Sequence, residues 1–292
     1  MRRLLIVGYG DIGKRFAARY ASQFSLTAVC RTKINDSSSS MRSVNWLNAD
    51  LDTPQTLRRL AGLSDDVVYL APPNPNGPAD KRVRNFLGSI STGVRIPQRL
   101  VYMSTTGVYG DCAGEFVCET RMAKPQTDRA RRRLDAETQV RAWSKKTGCL
   151  SVVLRVPGIY ASDRLPLKRL MSGLSAVNAS EDSFTNHIHA DDLARIIFFA
   201  LSRGVNGRIY NCADDSRIKA GDYFDLIAIR SGLPLPPRVS RSEAERILSS
   251  MSWSFLKESR LISNNRMKRE LKVQLEYPTV NDGVPNKITI PS

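Results

Sequence analysis

The sequence predicts an α/β protein in which helices cover both faces of a parallel sheet, with a smaller lobe formed by the C-terminal part. Short apolar runs typical of buried strands alternate with segments of helical periodicity as far as about residue 213. The first run, LLIV, leads directly into GYGDIG and then into a helical segment. Beyond residue 213 the pattern changes to short helices and proline-containing loops, which suggests an appended lobe.

The apolar runs define the expected strands. They lie at residues 2–8, 26–30, 44–47, 67–73, 99–106 and 150–160. Residues 33–41, with four consecutive serines, are typical of a loop, and residues 53–63 are expected to form a helix that begins close to Pro54. A longer helix should begin at Thr127 or Asp128 and end at Gly148. This helix carries the run RARRR, whose four arginines need an explanation.

The expected architecture is a Rossmann-type doubly wound sheet. We assign residues 1–155 to this dinucleotide-binding domain and expect residues 186–212 to return to it. Residues 156–185 and 213–292 would then form the small substrate-binding lobe.

Composition narrows the classes of function. The 292 residues carry a net charge of +16, which favours anionic partners, and residues 121–146 alone hold nine basic and three acidic side chains. Five cysteines without a Cys-x-x-Cys pair, and only two histidines, predict reduced thiols and no metal site. The early apolar run is too short for a membrane span, so we expect a cytoplasmic protein without membrane contact.

The glycine motif predicts a dinucleotide site. Gly8 would permit a tight turn, Gly10 would let a pyrophosphate approach the backbone, and Gly13 would let helix and strand pack closely. Asp11 and Ile12 would stand at the helix N-terminus, where phosphates bind, although a carboxylate is an unusual neighbour for them. A plain glycine turn without a ligand is the alternative.

The end of the second predicted strand bears on cofactor choice. An NAD site would place a carboxylate there for the ribose 2′-hydroxyl, but the sequence reads Cys30-Arg31-Thr32-Lys33. Basic side chains suit a 2′-phosphate, so NADP is favoured and NAD remains possible. The alternative is an ordinary basic loop in a basic protein.

The order of further segments makes a family resemblance specific. LLIVGYGDIG, NADLD, VVYLAPP, VYMSTTGVYGD, LRVPGIY, NHIHADDLA and GRIYNCADD follow one another as in the extended short-chain dehydrogenase/reductases, the NAD-dependent epimerase/dehydratase family. The chain resembles that family over about residues 3–215, and residues 259–284 resemble the end of its atypical members. The resemblance implies adenine contacts at Asp50 and Leu51, ribose contacts at Ala71, Pro72 and Pro73, nicotinamide contacts at Pro157, Gly158 and Ile159, and a catalytic hydroxyl at Thr105.

One departure from the family is serious. The family's catalytic helix carries Tyr-x-x-x-Lys, with a glutamate four residues after the lysine, and counting back from Glu137 places Arg133 at the lysine and Arg129 at the tyrosine. Arginine stays protonated and cannot accept a proton, so Arg129 cannot be the base. We expect Arg129 to bind an anionic group and Arg133 to reach the cofactor ribose, with Thr105 or Tyr109 relaying a proton.

Three functions remain open at this point. The first is an NADP(H)-dependent oxidoreductase or epimerase-like enzyme of altered mechanism, acting on an anionic or sugar-nucleotide-like small molecule. The second is a non-catalytic NADP-binding sensor or scaffold. The third function, nucleic-acid binding, is the least favoured, because no aromatic residues that could stack on bases alternate with the arginines. Family members often dimerise through the helix that corresponds to the arginine-bearing helix of this chain. In a dimer of this chain, arginines on the outer face of that helix would face the same arginines of the second copy. We therefore expect a monomer or a weak dimer.

Overall fold

The computed structural model describes residues 1–31 and 44–290. Its strands in chain order are β1 (Arg2–Val7), β2 (Phe24–Cys30), β3 (Val44–Asn48), β4 (Asp66–Tyr69), β5 (Arg99–Thr105), β6 (Phe116–Val117), β7 (Leu150–Val156), β8 (Gly158–Tyr160), β9 (Ala176–Val177), β10 (Phe184–Thr185), β11 (His187–His189), β12 (Ile209–Asn211), β13 (Ile218–Lys219), β14 (Arg238–Val239) and β15 (Leu261–Ile262). Its α-helices are α1 (Asp11–Tyr20), α2 (Lys81–Ile90), α3 (Asp128–Thr147), α4 (Leu167–Met171), α5 (Ala190–Arg203), α6 (Ala220–Ser231), α7 (Arg241–Ile247), α8 (Ser250–Leu256), α9 (Asn265–Leu271) and α10 (Val280–Gly283).

Seven strands form the central sheet in the order β12-β7-β5-β4-β1-β2-β3. Every neighbouring pair is parallel, which confirms the predicted doubly wound α/β fold. The chain moves from β1 to β2 and β3 on one side and to β4 and β5 on the other. The strand order therefore reverses beside β1, and in such sheets ligands bind at the carboxyl ends of the strands near the reversal.

Both faces of the sheet are buried at its centre, and this explains why the runs LLIV of β1 and VVY of β4 are apolar throughout. Leu4 and Ile6 of β1 face one core, which includes Phe16 of α1 and Leu193 of α5. The alternate side chains of β1 face a second core beneath α2 and α3. Since successive side chains of a strand point to opposite faces, LLIV fills both cores.

Helix α3 has the ends that the sequence predicts. The Thr127 side chain accepts a hydrogen bond from the Ala130 backbone N–H, and Gly148 ends the helix in the left-handed conformation, at φ +77°. Buried Glu137 fixes the helix to the sheet. Its carboxylate accepts from Ser104 of β5 at 2.6 Å and from Arg155 of β7 at 2.7 and 3.1 Å.

Several predicted boundaries differ from the structure. The apolar run at residues 150–160 forms two strands: β7 ends before Pro157 and β8 begins after it. Proline has no backbone N–H to donate to a neighbouring strand, so it interrupts the hydrogen bonding of the sheet. The run at residues 67–73 is a strand only as far as Tyr69, and the helix expected at residues 53–63 is a 3-10 helix over Pro54–Leu60. Helix α2 was not predicted.

The remaining elements build the lobe and its connection to the sheet. Strand β11, helix α5 and strand β12 run from the lobe back to the edge of the central sheet, where β12 pairs with β7. Tyr160, Phe224 and Ile227 belong to a separate lobe core. Among the described residues, no helix combines the length and apolar character that crossing a membrane requires.

Candidate functional site

The glycine motif lies at the carboxyl end of β1, where the strand order reverses. Gly8 has φ +91°, and a Cβ there would lie 2.5 Å from the backbone nitrogen of Ala71. Gly10 caps α1, and a Cβ there would meet no atom within 4 Å, so open space adjoins this backbone. A Cβ on Gly13 would lie 3.5 Å from the Cγ2 methyl of Ile6, consistent with close packing of α1 on β1. Each glycine thus has the surroundings that the dinucleotide motif requires.

The carboxylate of Asp11 is held by two arginines. It pairs with Arg15 at 3.1 Å and with Arg164, on the loop after β8, at 2.6 Å. Its charge is therefore compensated at the helix N-terminus, where phosphates bind. The side chain of Ile12 is buried in the core, so Asp11 and Ile12 can serve a phosphate through backbone N–H groups at the start of α1.

A cavity of about 300 Å³, here named the glycine-turn cavity, opens beside this motif. Its walls come from the ends of β1, β2, β3 and β4, and from α2. The lining residues are Gly8, Tyr9, Gly10, Val29, Cys30, Arg31, Ala49, Asp50, Leu51, Leu70, Ala71, Pro72 and Arg82. The cavity thus brings together seven of the residues expected to contact a cofactor, including those expected at the adenine, Asp50 and Leu51. Thr32 and Lys33 lie outside the described residues, and Pro73 is not part of the lining.

Arg82 in this cavity was missed by the sequence analysis. Its guanidinium pairs with Asp52 at 2.5 Å and donates to the carbonyl of Pro72 at 3.1 Å, while the hydrogen bond from Arg82 lowers the pKa of Asp52. The side chain of Arg31, by contrast, makes no hydrogen bond within the described part of the chain. Arg82 lies on helix α2, which the sequence pattern did not predict. No feature of the sequence therefore indicated that Arg82 lines this cavity.

A second cavity of about 330 Å³, the arginine cavity, lies between the ends of β5 and β7, helix α3 and the lobe. Thr105, Pro157, Gly158 and Ile159 line it, as do the side chains that give it its name, Arg129, Arg133 and Arg260. Most of the residues expected near the nicotinamide therefore line a single cavity.

The four arginines of RARRR have different surroundings. Arg129 and Arg133 are one helical turn apart, and both line the arginine cavity. Arg131 is exposed and pairs with Asp128 at 2.7 Å, whereas Arg132 is buried and donates to the carbonyl of Gly77 at 2.8 Å. The run is thus not one basic surface, because two of its guanidinium groups belong to the cavity and two do not.

Arg129 has no hydrogen-bond acceptor among the described residues. Its guanidinium lies 4.2 Å from the centre of the Phe255 ring, on α8, and remains open to water in the cavity. Partial desolvation by the cavity wall lowers the pKa of Arg129, while the nearby carboxylate of Glu258 opposes this shift. The group nonetheless stays protonated at neutral pH, so it offers free N–H donors to an anion.

Arg133 lines the arginine cavity and contacts a residue of the glycine-turn cavity. Its Nη1 donates to the carbonyls of Ala71 at 3.3 Å and Met103 at 2.9 Å, and to the Tyr102 hydroxyl at 3.1 Å. Ala71 also lines the glycine-turn cavity, so this guanidinium stands beside the ends of both β4 and β5. A molecule that extends from one cavity to the other would pass Arg133.

The structure does not support the proton relay expected of Tyr109. This side chain is only 1% exposed, and its hydroxyl donates to the side-chain oxygen of Asn211 at 2.8 Å. The Arg155 guanidinium lies 4.6 Å from the ring centre, and burial raises the pKa of Tyr109. Tyr109 does not line the arginine cavity, because its ring packs into the core beneath the lobe. Thr105 does line it, and its hydroxyl oxygen accepts from the Gly107 N–H at 3.2 Å.

Three lobe residues complete the arginine cavity and were missed from sequence. Phe255 covers Arg129, and Glu258 accepts a hydrogen bond from Arg260 at 2.7 Å. Glu258 is the one carboxylate among the described lining residues, which include no tyrosine, lysine or histidine. These residues lie more than a hundred positions from α3 in the chain, so no local pattern links them to it.

Comparison with known proteins agrees with this architecture. The sequence model described as the NAD dependent epimerase/dehydratase family matches residues 4–213. No curated protein sequence is significantly similar to the chain.

Solved structures resemble the chain over nearly its whole length. A conserved protein of unknown function from Silicibacter pomeroyi is 27% identical, with a TM-score of 0.80 over 97% of this chain and 96% of that one. The dTDP-glucose 4,6-dehydratase of Bacillus anthracis, solved with NAD, is 15% identical, with a TM-score of 0.78 over 99% and 96%. The UDP-glucose 4-epimerase of Thermotoga maritima, solved with UDP-glucose, is 16% identical, with a TM-score of 0.78 over 98% and 97%.

The last two similarities concern the fold alone, whereas the family match covers well over half of the sequence, including the glycine motif and all of the central sheet except the first two residues of β1. The chain therefore belongs to the NAD-dependent epimerase/dehydratase family.

Proposed function

We propose that this protein binds NADP(H) across the two cavities and uses it in an oxidoreductase or epimerase-like reaction on a small anionic substrate. The observation that carries the proposal is Arg129, a cavity-lining guanidinium without an acceptor among the described residues, at the position that the family resemblance assigns to a catalytic tyrosine. A guanidinium there is suited to a carboxylate or phosphate of the substrate.

The residues present fit the cofactor. The open space at Gly10 and the start of α1 would take the pyrophosphate, and the glycine-turn cavity would take the adenosine. Arg31, which has no acceptor among the described residues, would bind the 2′-phosphate. When bound, the nicotinamide would supply hydride transfer beside Thr105 and Arg129.

The reaction also needs a group that exchanges a proton with the substrate: it accepts the hydroxyl proton when hydride leaves the substrate, and it returns that proton when NADPH reduces a carbonyl. Arg129 cannot do so, and Tyr109 is buried elsewhere. Glu258 is the carboxylate that the cavity offers, and we assign it this role, with the Arg260 hydrogen bond holding it in place. The hydroxyl of Thr105 would orient the substrate.

The cofactor preference can be tested at Arg31. We expect the parent protein to bind NADPH more tightly than NADH, and Arg31→Asp to weaken NADPH by about 1 to 3 kcal/mol more than NADH, because a charge-assisted contact is lost. Fluorescence titration of both nucleotides measures this. Arg58→Asp makes the same charge change at an exposed position outside the cavity and should leave the ratio unchanged. Equal affinities in the parent protein would refute the preference.

The roles of Arg129 and Arg133 can be separated. Arg129→Ala should leave NADPH affinity nearly unchanged and weaken small carboxylates by about 1.5 to 3 kcal/mol, because only the anion contact is lost. Arg133→Ala should weaken NADPH, because Arg133 contacts Ala71, which lines the glycine-turn cavity. Calorimetric titrations of NADPH and of a monocarboxylate measure both effects. Arg131→Ala, on the outer face of the same helix, is the control. The assignment fails if Arg129→Ala weakens NADPH and spares the carboxylate.

A non-catalytic NADP-binding protein is the second candidate. It is favoured by one observation, the lack of a tyrosine, lysine or histidine in the described lining of the arginine cavity. Protein loaded with NADPH and mixed with a panel of 2-oxo acids distinguishes the two functions. The enzyme is supported if the parent protein oxidises NADPH and Glu258→Gln does not, while both bind NADPH equally well. Anion binding without turnover across the panel would support the sensor.

A further inference from the structure

A third cavity of about 250 Å³, the lobe cavity, adjoins the arginine cavity on the lobe side. The two cavities share the lining residues Gly158, Ile159, Thr185 and Phe255. Because four residues form walls of both, a ligand in the arginine cavity can extend past Phe255 into the lobe cavity.

Arg169 lines the lobe cavity without a hydrogen bond or ion pair of its side chain to any described residue. Its Nη2 is shielded from water and has no acceptor, and its guanidinium lies 5.5 Å from the Phe224 ring centre. Burial lowers the pKa of Arg169. Arg164, in the same cavity, is different because Asp11 binds it at 2.6 Å. A half-buried cation without an acceptor is unfavourable unless a ligand supplies one.

Arg129, in the arginine cavity, resembles Arg169 in its contacts, although its guanidinium is open to water. Each guanidinium stacks on a phenylalanine, each lines a cavity, and each lacks an acceptor among the described residues. The lining of the lobe cavity contains no carboxylate, and the carboxylate of the arginine cavity, Glu258, is already bonded to Arg260. Each of the two joined cavities therefore contains an arginine without an acceptor among the described residues, and Ile159 and Phe255 are among the side chains that line both.

We propose that the substrate carries two separate anionic groups, carboxylates or phosphates, one bound by Arg129 and the other by Arg169. This inference rests on the proposed function, since it takes Arg129 as the anion site beside the nicotinamide. The part between the two groups would pass Phe255 and Ile159, which favours a short carbon chain. The substrate class is then a small dianion, such as a dicarboxylate or a phosphorylated carboxylic acid.

The test uses the purified full chain in the presence of NADPH. Linear α,ω-dicarboxylates from malonate to pimelate, each with the monocarboxylate of equal length, are titrated by calorimetry. We expect one chain length to bind at least about tenfold more tightly than its monocarboxylate, because both ends are then paired. Arg169→Met keeps the stem on the Phe224 ring and should remove this advantage without changing monocarboxylate binding. Lys168→Met, its exposed neighbour on α4, should change neither.

The two proposals fail in different ways. If Arg169→Met leaves the dicarboxylate advantage intact, or if no dicarboxylate exceeds its monocarboxylate, the second anion site is wrong. If Arg129→Met leaves monocarboxylate binding unchanged, the anion site of the proposed function is wrong instead. If Arg169→Met folds poorly, Arg169→Lys and Arg169→Gln replace it, because the lysine keeps the charge and the glutamine removes it. The proposal is supported if the dicarboxylate still binds more tightly than its monocarboxylate in Arg169→Lys and no longer does so in Arg169→Gln. Equal advantages in the lysine and glutamine variants overturn it.

Discussion

Replacing Glu137 by alanine is expected to lower the free energy of unfolding by about 3 to 5 kcal/mol, because it leaves a buried charge without its partner. Both residues of the Arg155–Glu137 pair have side chains less than 5% exposed. Burial alone would lower the pKa of Arg155, but the hydrogen bonds and charge of Glu137 raise it above its usual range. Ser104 would also lose its acceptor on the helix. Urea unfolding of parent and variant measures the loss.

The matched control is Arg131→Ala, which removes an exposed pair from the same helix. Exposed pairs contribute little, so its effect should stay below about 1 kcal/mol. A double variant, Glu137→Leu with Arg155→Met, should be more stable than Glu137→Ala, because no charge remains buried. A loss in Glu137→Ala no larger than that in Arg131→Ala would show that this pair does not hold α3 on the sheet.

The fold could be predicted because its signals are local. A strand buried on both faces is mostly apolar, and LLIV leading into GYGDIG places β1, the turn and α1 in one segment. The ends of α3 follow from Thr127 and Gly148, since capping depends on single residues. The boundary at Pro157 was missed because the apolar pattern continues past it.

The residues of the candidate site could be predicted only where a single helix or a single turn brings them together. The spacing of Arg129 and Arg133 places both on one face of α3, and both line the same cavity. Tyr109 follows Thr105 by four residues, but the 3-10 helix over Thr106–Tyr109 turns its ring into the core. Glu258 and Phe255 reach the cavity through tertiary packing of the lobe, which sequence spacing does not encode.

The glycine turn offers the second large effect, and it concerns binding rather than folding. Gly10→Ala should weaken NADPH on the order of 100-fold, about 2.8 kcal/mol, because a methyl group would fill the space through which the pyrophosphate approaches the backbone. Its stability should change by less than about 0.5 kcal/mol, since φ is −92° and the new Cβ meets no atom within 4 Å. Nucleotide titration and urea unfolding measure the two quantities on the same sample.

Two further alanine variants locate the cause of that loss. Gly88→Ala, at an exposed position in α2 with open space around it, should bind NADPH normally and be slightly more stable, by about 0.5 to 1 kcal/mol. Gly8→Ala should lose both stability and binding, because φ is +91° and its Cβ would meet the Ala71 backbone at 2.5 Å. Normal NADPH affinity in Gly10→Ala would show that the phosphates do not pass this turn. Equal losses of stability in Gly10→Ala and Gly8→Ala would instead mean that Gly10 acts through the fold, and the phosphate site would then need to be sought elsewhere at the carboxyl ends of the strands.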